Sequence, residues 1–504
     1  MAAVSALPFA PARLGGPAPP SRALPARRGP SAAQFVVGLF ITATAALLAG
    51  AGGRLAVYAY VALAAFCGVV LLAKSPVAYV TFSLWLWWVT PFVRRVLDHH
   101  HGWHPTNPVL LAPPLVALYA VVVIARHPRE LRGLLFAPFL LVLAALAYGY
   151  VVGLISTGFI PSTYALVTWL APALFGIHLA VSWRHYPELG ASLRRTFAVA
   201  VPLLAAYGIY QFVRLPSWDA EWMRHADLRS IGNPVPFLVR IFGTLNTPGP
   251  YAAFLAAGVL ILLQARGKWR YVSTALALVA LLLTRTRAAW VAFLIGLLVQ
   301  FISQPIVRIP KRAITLVVVA LLALPLVATP RFRSIIAPRL STLTDIRGDR
   351  SFIRRVAFST ETASSIVETA EGAGLGATGG AIKLRGNRGV RSLDNGFLEV
   401  FYIFGWPGGA LFFLGIAGLL FQSLRYVEAR RDTFANSLRA TALALASILP
   451  IGDIFTGPTG TLLWSMIGLG IAAHAYHMTT GLALRSRFIT PVPLAGAVTT
   501  PVRA

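Results

Sequence analysis

The chain has 504 residues, of which 57% are hydrophobic and 12% charged, and its mean hydropathy is +0.71. This composition excludes an ordinary water-soluble protein and is typical of a protein that spans a membrane many times. Its 44 basic residues outnumber its 16 acidic ones, which gives a formal net charge of +28. Because the basic residues are interleaved with apolar stretches, they favour lipid headgroups and lipid-linked phosphates over nucleic acid as partners.

Two further classes of site and function are disfavoured. The only cysteine, Cys67, lies in an apolar run, which excludes an internal disulfide and a multi-cysteine metal site. No stretch of the size of a nucleotide-binding domain separates the apolar runs, which argues against an ATP-driven pump.

Apolar stretches of span length predict an all-α polytopic membrane protein of about 14 transmembrane helices, with one long extracytoplasmic loop. Residues 1–31, rich in Pro, Ala and Arg, are predicted to be a disordered cytoplasmic tail. The apolar run from Ala32 to Ala51 is too long for a signal-peptide core and predicts an uncleaved first helix. The other predicted spans are 54–73, 77–93, 108–125, 134–155, 164–182, 196–214, 243–264, 270–283, 288–303, 313–329, 396–422, 437–456 and 458–478.

The positions of arginine and lysine predict the orientation. An even number of spans puts both termini on one side, and the positive-inside rule makes that side the cytoplasm. Basic groups such as Arg126–Arg132 and Arg184–Arg195 then fall in cytoplasmic loops. Arginines that remain on the outer side run against the rule, so we expect them to bind an anion. The outer segments are 94–107, 156–163, 215–242, 284–287, 330–395 and the turn near Gly457.

Arg240 opens the first motif, Arg240-Ile-Phe-Gly-Thr-Leu-Asn-Thr-Pro248, in which Gly, Asn and Pro predict a break at the mouth of a span. Such breaks free backbone polar groups at membrane depth and are tolerated where the segment lines a cavity. Arg240 is therefore a candidate catalytic residue. The alternative is an arginine that only reaches from a span to the membrane interface.

Arg285 and Arg287 lie at the predicted tip of a hydrophobic hairpin. The apolar stretch from Tyr271 to Ser303 is too long for one span and is predicted to divide at Thr284–Arg287 into two short helices. Two like charges at such a tip are costly unless an anion is present, and the planar guanidinium suits phosphate. An interfacial anchor pair is the alternative.

The outer loop 330–395 contains ten arginines. Arg354 and Arg355 project from an amphipathic helix predicted between Ser351 and Glu368, and with Arg391 they are candidates for binding an anionic substrate. Acidic residues of the same loop make ordinary ion pairs the alternative for part of this set. The segment Gly374–Gly379 has the spacing G-x-G-x-x-G, but no buried strand precedes it. A glycine-rich turn that allows close backbone approach is favoured over a dinucleotide site.

The span after this loop opens with Asp394-Asn395-Gly-Phe-Leu-Glu399. Asp394 is a candidate general base, because arginines stay protonated, and the alternative is that it caps the helix. Glu399 lies one turn inside the predicted membrane, where carboxylates are rare and often functional. Asn395 and Glu399 are candidate substrate-binding residues, and Asp453 is a further candidate near the outer end of another span.

The run His99-His100-His101 lies near Asp98 and His104, and a metal site is one interpretation of it. Consecutive histidines point in different directions, so a surface loop without a metal is favoured.

At these residues the chain resembles the bacterial O-antigen ligase/polymerase superfamily, integral-membrane enzymes that polymerise or transfer lipid-linked glycans. The resemblance covers residues 230–425 and rests on four features in a fixed order. They are the Arg-x-x-Gly-Thr-x-x-x-Pro segment Arg240–Pro248, the pair Thr286-Arg287, the glycines Gly372, Gly374 and Gly376, and the segment Asp394–Leu398 followed by Gly405-x-x-Gly408. One departure is Asp394, since the ligases usually have a histidine there, whereas many exopolysaccharide and capsule polymerases look like this Asp-Asn version.

The resemblance implies a GT-C-like fold and a metal-independent, inverting hexosyltransferase of the bacterial cytoplasmic (inner) membrane, without a cofactor. Its active site would face the extracytoplasmic side, and both termini the cytoplasm. The implied partners are an oligosaccharide on polyprenyl (undecaprenyl) pyrophosphate, a growing glycan acceptor, membrane lipids, and a chain-length regulator or flippase. The expected regions are the tail 1–31, a transmembrane region 32–235, a ligase/polymerase-like core 236–425, transmembrane helices 426–480 and a cytoplasmic tail 481–504.

In this interpretation Arg240 and Arg287 clamp the pyrophosphate and Asp394 accepts the proton of the acceptor. The remaining candidates contact the substrate, namely Arg285, Arg354, Arg355, Arg391, Asn395 and Glu399. The favoured function is a polysaccharide polymerase. The alternatives are a ligase that transfers a finished glycan to a lipid or protein, and a flippase for lipid-linked glycan. A flippase is disfavoured because the sequence has no internal repeat and its polar residues cluster on one side.

Overall fold

The computed structural model describes residues 31–131, 133, 135–226, 228–265, 267–303, 366, 370–385, 393 and 395–480. Within these residues the regular structure is helical, and a single antiparallel bridge joins Gly232 to Val239. The helices of the first half are α1 Ala32–Leu48, α2 Ala56–Lys74, α3 Pro76–His101, α4 Ala112–Leu118, α5 Ala120–Ala125, α6 Pro128–Leu131, α7 Ala137–Ser156 and α8 Phe159–Val181.

The helices of the second half are α9 Tyr186–Arg214, α10 Ser217–Ala226, α11 Pro248–Leu262, α12 Trp269–Leu283, α13 Arg287–Ile302, α14 Gly396–Arg425, α15 Thr433–Ala446 and α16 Gly457–Thr479. Short 3-10 helices connect several of them, at Gly53–Leu55, Pro108–Leu111, Trp183–His185, Arg229–Ile231, Gly379–Arg385, Val427–Arg430 and Leu449–Ile451.

Eight stretches are long and apolar enough to cross a membrane, which makes the chain a multi-pass membrane protein. They are Gly53–Lys74, Pro76–His101, Pro108–Ala125, Ala137–Ser156, Phe159–Val181, Trp183–Arg214, Gly396–Arg425 and Thr433–Ile451. Four shorter apolar helices are Ala32–Leu48, Pro248–Leu262, Trp269–Leu283 and Arg287–Ile302. The predicted count of fourteen spans is not established, and the predicted span 313–329 lies outside the described residues.

Two helices run further than hydropathy predicts. The sequence predicts the end of a span at residue 93, but α3 continues to His101. The arginines that follow residue 93 are paired inside the protein, Arg94 with Asp98 at 3.1 Å and Arg95 with Asp219 at 2.7 Å. Similarly, α9 begins at Tyr186 rather than at 196, so the stretch predicted as the loop Arg184–Arg195 is mostly helical. In α3, partners inside the protein thus allow the helix to continue past the apolar run.

Local sequence signals set several helix ends. Ser31 and Gln34 form a capping box at the start of α1, and Ser75 caps α3 ahead of a proline in its first turn. Asp432 caps α15 through the backbone amides of Phe434 and Ala435. Burial alone would raise the pKa of Asp432, but hydrogen bonds from neighbours such as His477 and Tyr186 lower it below its ordinary value.

Small residues allow the long helices to approach closely. Gly176 of α8 packs against the backbone of Trp464 in α16, and Gly468 of α16 packs against the carbonyl group of Gly176. A side chain at either glycine would push these two helices apart. Such small-residue contacts are characteristic of helix packing in membranes, and here they join the two halves of the chain.

Candidate functional site

Arg240 lies on a non-helical segment that enters α11. The predicted Gly/Asn/Pro break is present, since α11 begins only at Pro248 and Gly243 has a φ of +55°. The amides of Phe242 and Gly243 donate to Oε1 of Gln211 in α9 at 2.9 and 3.0 Å. The backbone of this segment is therefore bonded to side chains of neighbouring helices, as a non-helical stretch at membrane depth requires.

Arg95 of α3 holds the same segment from the other side. Its side chain is fully buried, and its Nε donates to Oδ1 of Asp219 at 2.7 Å. Its two terminal nitrogens donate to the carbonyl oxygens of Gly243 and Leu245, each at 2.6 Å, and to Oδ1 of Asn246 at 3.1 Å. Sequence reasoning missed Arg95, whose signal was a pair of arginines directly after a predicted span.

The hairpin tip predicted at Thr284–Arg287 separates α12 from α13. Arg285 adopts a φ of +52°, which is rare for a residue with a side chain. The Arg240 side chain reaches this tip: its Nε donates to the carbonyl of Thr284 at 3.2 Å and a terminal nitrogen to that of Arg285 at 3.3 Å. Arg285 in turn donates to the carbonyl of Phe237 at 3.3 Å. The structure thus brings Arg240 and the hairpin tip together.

Within the part of the chain that the structure describes, three arginines meet at this tip. Arg287 is the first residue of α13, so it adds a guanidinium to the positive end of a helix dipole. Arg285 precedes it by two residues, and Arg240 is bonded to the same turn. A helix N-terminus and arginine side chains are both donors suited to an anion such as phosphate.

The predicted glycine-rich turn is confirmed. Gly372, Gly374 and Gly376 have φ angles of +80°, +77° and +97°, in the left-handed region that favours glycine. A side chain at Gly374 would overlap the backbone of Gly153 in α7. The spacing G-x-G-x-x-G therefore reflects close packing of a turn on a helix.

Backbone hydrogen bonds fix this turn between α7 and α14. The amide of Leu375 donates to the carbonyl of Gly149 at 2.8 Å, and the amide of Ala373 donates to that of Tyr402 at 2.8 Å. On the α7 side, the hydroxyl of Thr157 donates to the carbonyl of Leu375 at 2.8 Å. The turn is therefore an integral part of the helix packing.

A break in α14 makes this docking geometrically feasible. Gly405 has φ +60° and ψ −168°, so the helix is interrupted there, and a side chain at Gly405 would overlap the carbonyl group of Ala370. The turn satisfies the groups that the break frees. Gly374 donates its amide to Ile403 at 2.8 Å, and Trp406 donates its amide to Ala370 at 2.9 Å. The glycine motif and the Gly405 motif thus form one local structure.

Asn395 caps the start of α14, since its side chain accepts from the amides of Phe397 at 3.0 Å and Leu398 at 3.3 Å. Asp394 itself lies outside the described residues, as do Arg354, Arg355, Arg391 and the helix predicted between Ser351 and Glu368.

Glu399 lies in the first turn of α14 and accepts a hydrogen bond at 3.1 Å from Thr378, at the end of the glycine turn. The start of α14 lies beside the Asp453 segment, because Gly396 packs against the carbonyl of Gly452. Burial raises the pKa of Asp453, and hydrogen bonds from Thr456 and from the amide of Phe455 offset only part of that effect. The structure thus brings close two segments whose carboxylates the sequence treated separately.

The three consecutive histidines are helical, so the prediction of a surface loop there was wrong. His99, His100 and His101 form the last turn of α3, and Nδ1 of His99 lies 2.5 Å from the carboxylate of Glu221. In the described part of the chain, no group of three or more His, Cys, Asp and Glu side chains could hold a metal ion.

A comparison with protein families matches residues 272–413 to the family described as O-antigen ligase. No curated protein matches the chain. The matched range contains most of α12, the hairpin tip, α13, the glycine turn and the break in α14, whereas Arg95 and Arg240 precede it. The predicted resemblance to the O-antigen ligase/polymerase superfamily is confirmed by this match, which covers residues 272–413.

Proposed function

We propose that the protein is a polysaccharide polymerase, an inverting and metal-independent glycosyltransferase that uses repeat units on polyprenyl pyrophosphate. The observation that carries this proposal is the contact between Arg240 and the Thr284–Thr286 turn at the N-terminus of α13. That contact brings Arg240 to Arg285, Arg287 and a helix N-terminus, which lie within the residues that match the O-antigen ligase family. A lipid-linked glycan supplies the matching anion, its pyrophosphate.

In the proposed reaction Arg240 and Arg287 hold the pyrophosphate, and Arg285 supports them. The bond between the anomeric carbon and the pyrophosphate oxygen breaks, and negative charge grows on the departing polyprenyl pyrophosphate. Preorganised guanidinium groups stabilise this charge, which is the role that a metal ion has in other transferases. Each charge-assisted contact contributes about 1.5–3 kcal/mol.

An acceptor hydroxyl attacks the anomeric carbon from the opposite face and inverts its configuration. Asp394 is the proposed base that takes the hydroxyl proton, while Asn395 and Glu399 are proposed to orient the sugar. Arg354, Arg355 and Arg391 would bind donor phosphate or an acidic glycan, and the loop 330–395 would close over the site as a lid. The products are a longer glycan and free polyprenyl pyrophosphate.

A ligase is the second candidate, and the match of residues 272–413 to the O-antigen ligase family favours it. The two enzymes share the donor and differ in the acceptor. The Asp394-Asn395 sequence favours the polymerase, because the ligases usually begin this motif with histidine.

The proposal can be tested with purified protein in nanodiscs, incubated with lipid-linked repeat units of the host, EDTA and no nucleotide. A ladder of longer lipid-linked glycans is expected. Product that forms only after a separate acceptor is added would identify a ligase. No product with any acceptor would contradict both enzymes and favour transport.

Arg287→Ala is the first variant for this assay, and we expect its turnover to fall roughly 10²–10³-fold. Arg54→Ala is the matched control, since Arg54 is exposed and lies between α1 and α2. Full activity of Arg287→Ala at a normal protein level would refute the clamp.

A further inference from the structure

The described part of the chain has three non-glycine residues in the left-handed backbone region, and two of them lie in the candidate site. They are Phe237, with a φ of +65°, and Arg285, with a φ of +52°. A Cβ atom makes such angles costly. Strain of this kind persists where surrounding contacts enforce it, and it is frequent at functional sites. In this protein the two strained residues are joined to each other.

Two arginines make this connection in opposite directions. Arg285, at the hairpin tip, donates from a terminal nitrogen to the carbonyl of Phe237 at 3.3 Å. Arg240 donates from its Nε to the carbonyl of Thr284 at 3.2 Å and from a terminal nitrogen to that of Arg285 at 3.3 Å. Each arginine thus binds the backbone of the segment that carries the other. We call these three hydrogen bonds the arginine clasp.

The Phe237 side of the arginine clasp is anchored on α9. The amide of Phe237 donates to the carbonyl of Phe212 at 2.8 Å, and the two rings pack edge to face with their centres 5.3 Å apart. Arg240 belongs to the same local fold, because its amide donates to the carbonyl of Ile231 at 2.8 Å. The carbonyl that Arg285 binds is therefore held in place by a neighbouring helix.

The other side of the arginine clasp is the hairpin tip, whose own hydrogen bonds are local. The hydroxyl of Thr284 donates to the carbonyl of Leu281 at 2.6 Å and accepts from the amide of Thr286 at 3.3 Å. These bonds shape the turn between α12 and α13, but they do not determine where the turn stands relative to Arg240. The bonds donated by Arg240 and Arg285 do so, since they cross from one segment to the other.

We propose that Arg285 is a positioning residue, which holds the hairpin tip on the carbonyl of Phe237 so that Arg240 and Arg287 converge on one anion. The tip carbonyls orient Arg240, and the tip itself places Arg287 at the start of α13. The identity of the anion, a pyrophosphate, rests on the proposed function. Since negative charge grows on that group as its bond to the sugar breaks, donors that are already in place stabilise it without a reorganisation cost.

The first test is hydrogen exchange of the substrate-free, full-length protein in nanodiscs. Arg285→Ala should make the peptide of residues 237–243 exchange roughly 10-fold faster, the size of one lost hydrogen bond from a charged group. The change lies 48 positions from Phe237, so a local effect of the substitution on that peptide is excluded. Arg287→Ala is the matched control, because it removes an arginine of the same tip that is outside the clasp, and the peptide should exchange as in the wild type.

Arg285→Gly separates the side chain from the backbone. Glycine adopts a φ of +52° readily, whereas alanine is strained there. The glycine variant should therefore unfold at a temperature at least as high as that of Arg285→Ala, yet residues 237–243 should exchange as fast as in Arg285→Ala. Exchange like that of the wild type in Arg285→Gly would assign the effect of alanine to backbone strain and overturn the clasp.

Kinetics distinguish positioning from direct binding of substrate. Arg285→Gly should lower kcat roughly 10²-fold, the order expected for a displacement of about 1 Å, while the KM for the lipid-linked donor changes by less than about threefold. An increased KM at an unchanged kcat would mean that Arg285 binds the substrate itself, and would overturn its role as a positioning residue.

The outcomes separate this inference from the proposed function, because hydrogen exchange is measured without substrate. Faster exchange in both Arg285 variants of a protein that transfers glycan to no acceptor would support the clasp and refute the enzyme. Glycan transfer by the wild type, together with unchanged exchange in both variants, would overturn the clasp and leave the enzyme supported.

Discussion

The guanidinium of Arg95 takes the place that water would have around the carbonyl groups of Gly243 and Leu245. A broken helix end buried in a membrane protein must find such partners, and an arginine can satisfy several carbonyls at once. Asp219 balances the charge, and it also accepts hydrogen bonds from Tyr207 at 2.7 Å and Gln211 at 2.6 Å. The position of Arg240 therefore depends on a network of residues that precede the range matched to the O-antigen ligase family.

Arg95→Met is expected to destabilise the protein by about 3–5 kcal/mol, because it leaves the carboxylate of Asp219 buried without its cation. Thermal unfolding in detergent measures this loss. The double variant Arg95→Met/Asp219→Asn should regain part of the stability, since the asparagine is neutral and keeps hydrogen bonds. Glycan transfer should not recover, as the carbonyls of residues 243–245 stay unpaired. If the stability losses of the two single variants simply added up in the double variant, Arg95 and Asp219 would not be a coupled pair. Arg54→Met, which changes an exposed arginine, is the control.

The sequence could not have identified this pair. Arg95 and Asp219 are 124 positions apart, and no spacing rule joins them. Arg240, Arg285 and Arg287 could be singled out, because each is a charge at a predicted break or hairpin tip. What remained hidden was the direction of the Arg240 side chain, which depends on how the segment folds back towards Thr284.

At the scale of elements, the glycine turn and the broken helix α14 interlock. Gly372 and Gly374 take left-handed angles, and Gly405 interrupts α14 where the turn docks. The sequence predicted the turn from its glycines alone. It did not predict the break at Gly405, although Pro407 follows two residues later and proline is a common cause of helix kinks.

Gly405→Ala is expected to cost about 1–3 kcal/mol, since alanine disfavours a φ of +60° and its methyl group would overlap the carbonyl of Ala370. Hydrogen exchange of the peptide around Ala373–Leu375 should become faster as the turn undocks, and glycan transfer should fall. Gly470→Ala in α16 is the control, because a methyl group there meets open space. Normal exchange in Gly405→Ala would show that the turn does not need the break.

At the scale of the whole molecule, composition and charge already predict a multi-pass membrane protein. The number of spans was harder to predict, because helix length in this protein follows internal ion pairs as much as hydropathy. From its charges, the stretch after residue 93 is predicted to be a loop. In the structure it is helical, and Arg94 and Arg95 form ion pairs within the fold. The family match likewise covers residues 272–413 only, and it leaves out the helices of the first half that pack against them.

Those helices are as necessary as the matched domain. The glycine turn rests on α7 through Gly149 and Thr157, and the Arg240 segment is held by α3 and α9. We therefore expect a fragment of residues 267–504, cut in the loop before α12, to be inactive and poorly stable alone. Co-expression with a fragment of residues 1–266 should restore glycan transfer, because the interfaces between the fragments are helix faces and backbone hydrogen bonds.

The fragment experiment also separates assembly from positioning. With Arg95→Met in the 1–266 fragment, the two fragments should still co-purify, since α8 packs on α16 through Gly176 and Gly468. Glycan transfer should remain lost, because the segment that presents Arg240 has lost its anchor. Activity of residues 267–504 alone would contradict this view. It would mean that the hairpin-tip arginines act without Arg240, and that the first half of the chain serves another purpose than building the site.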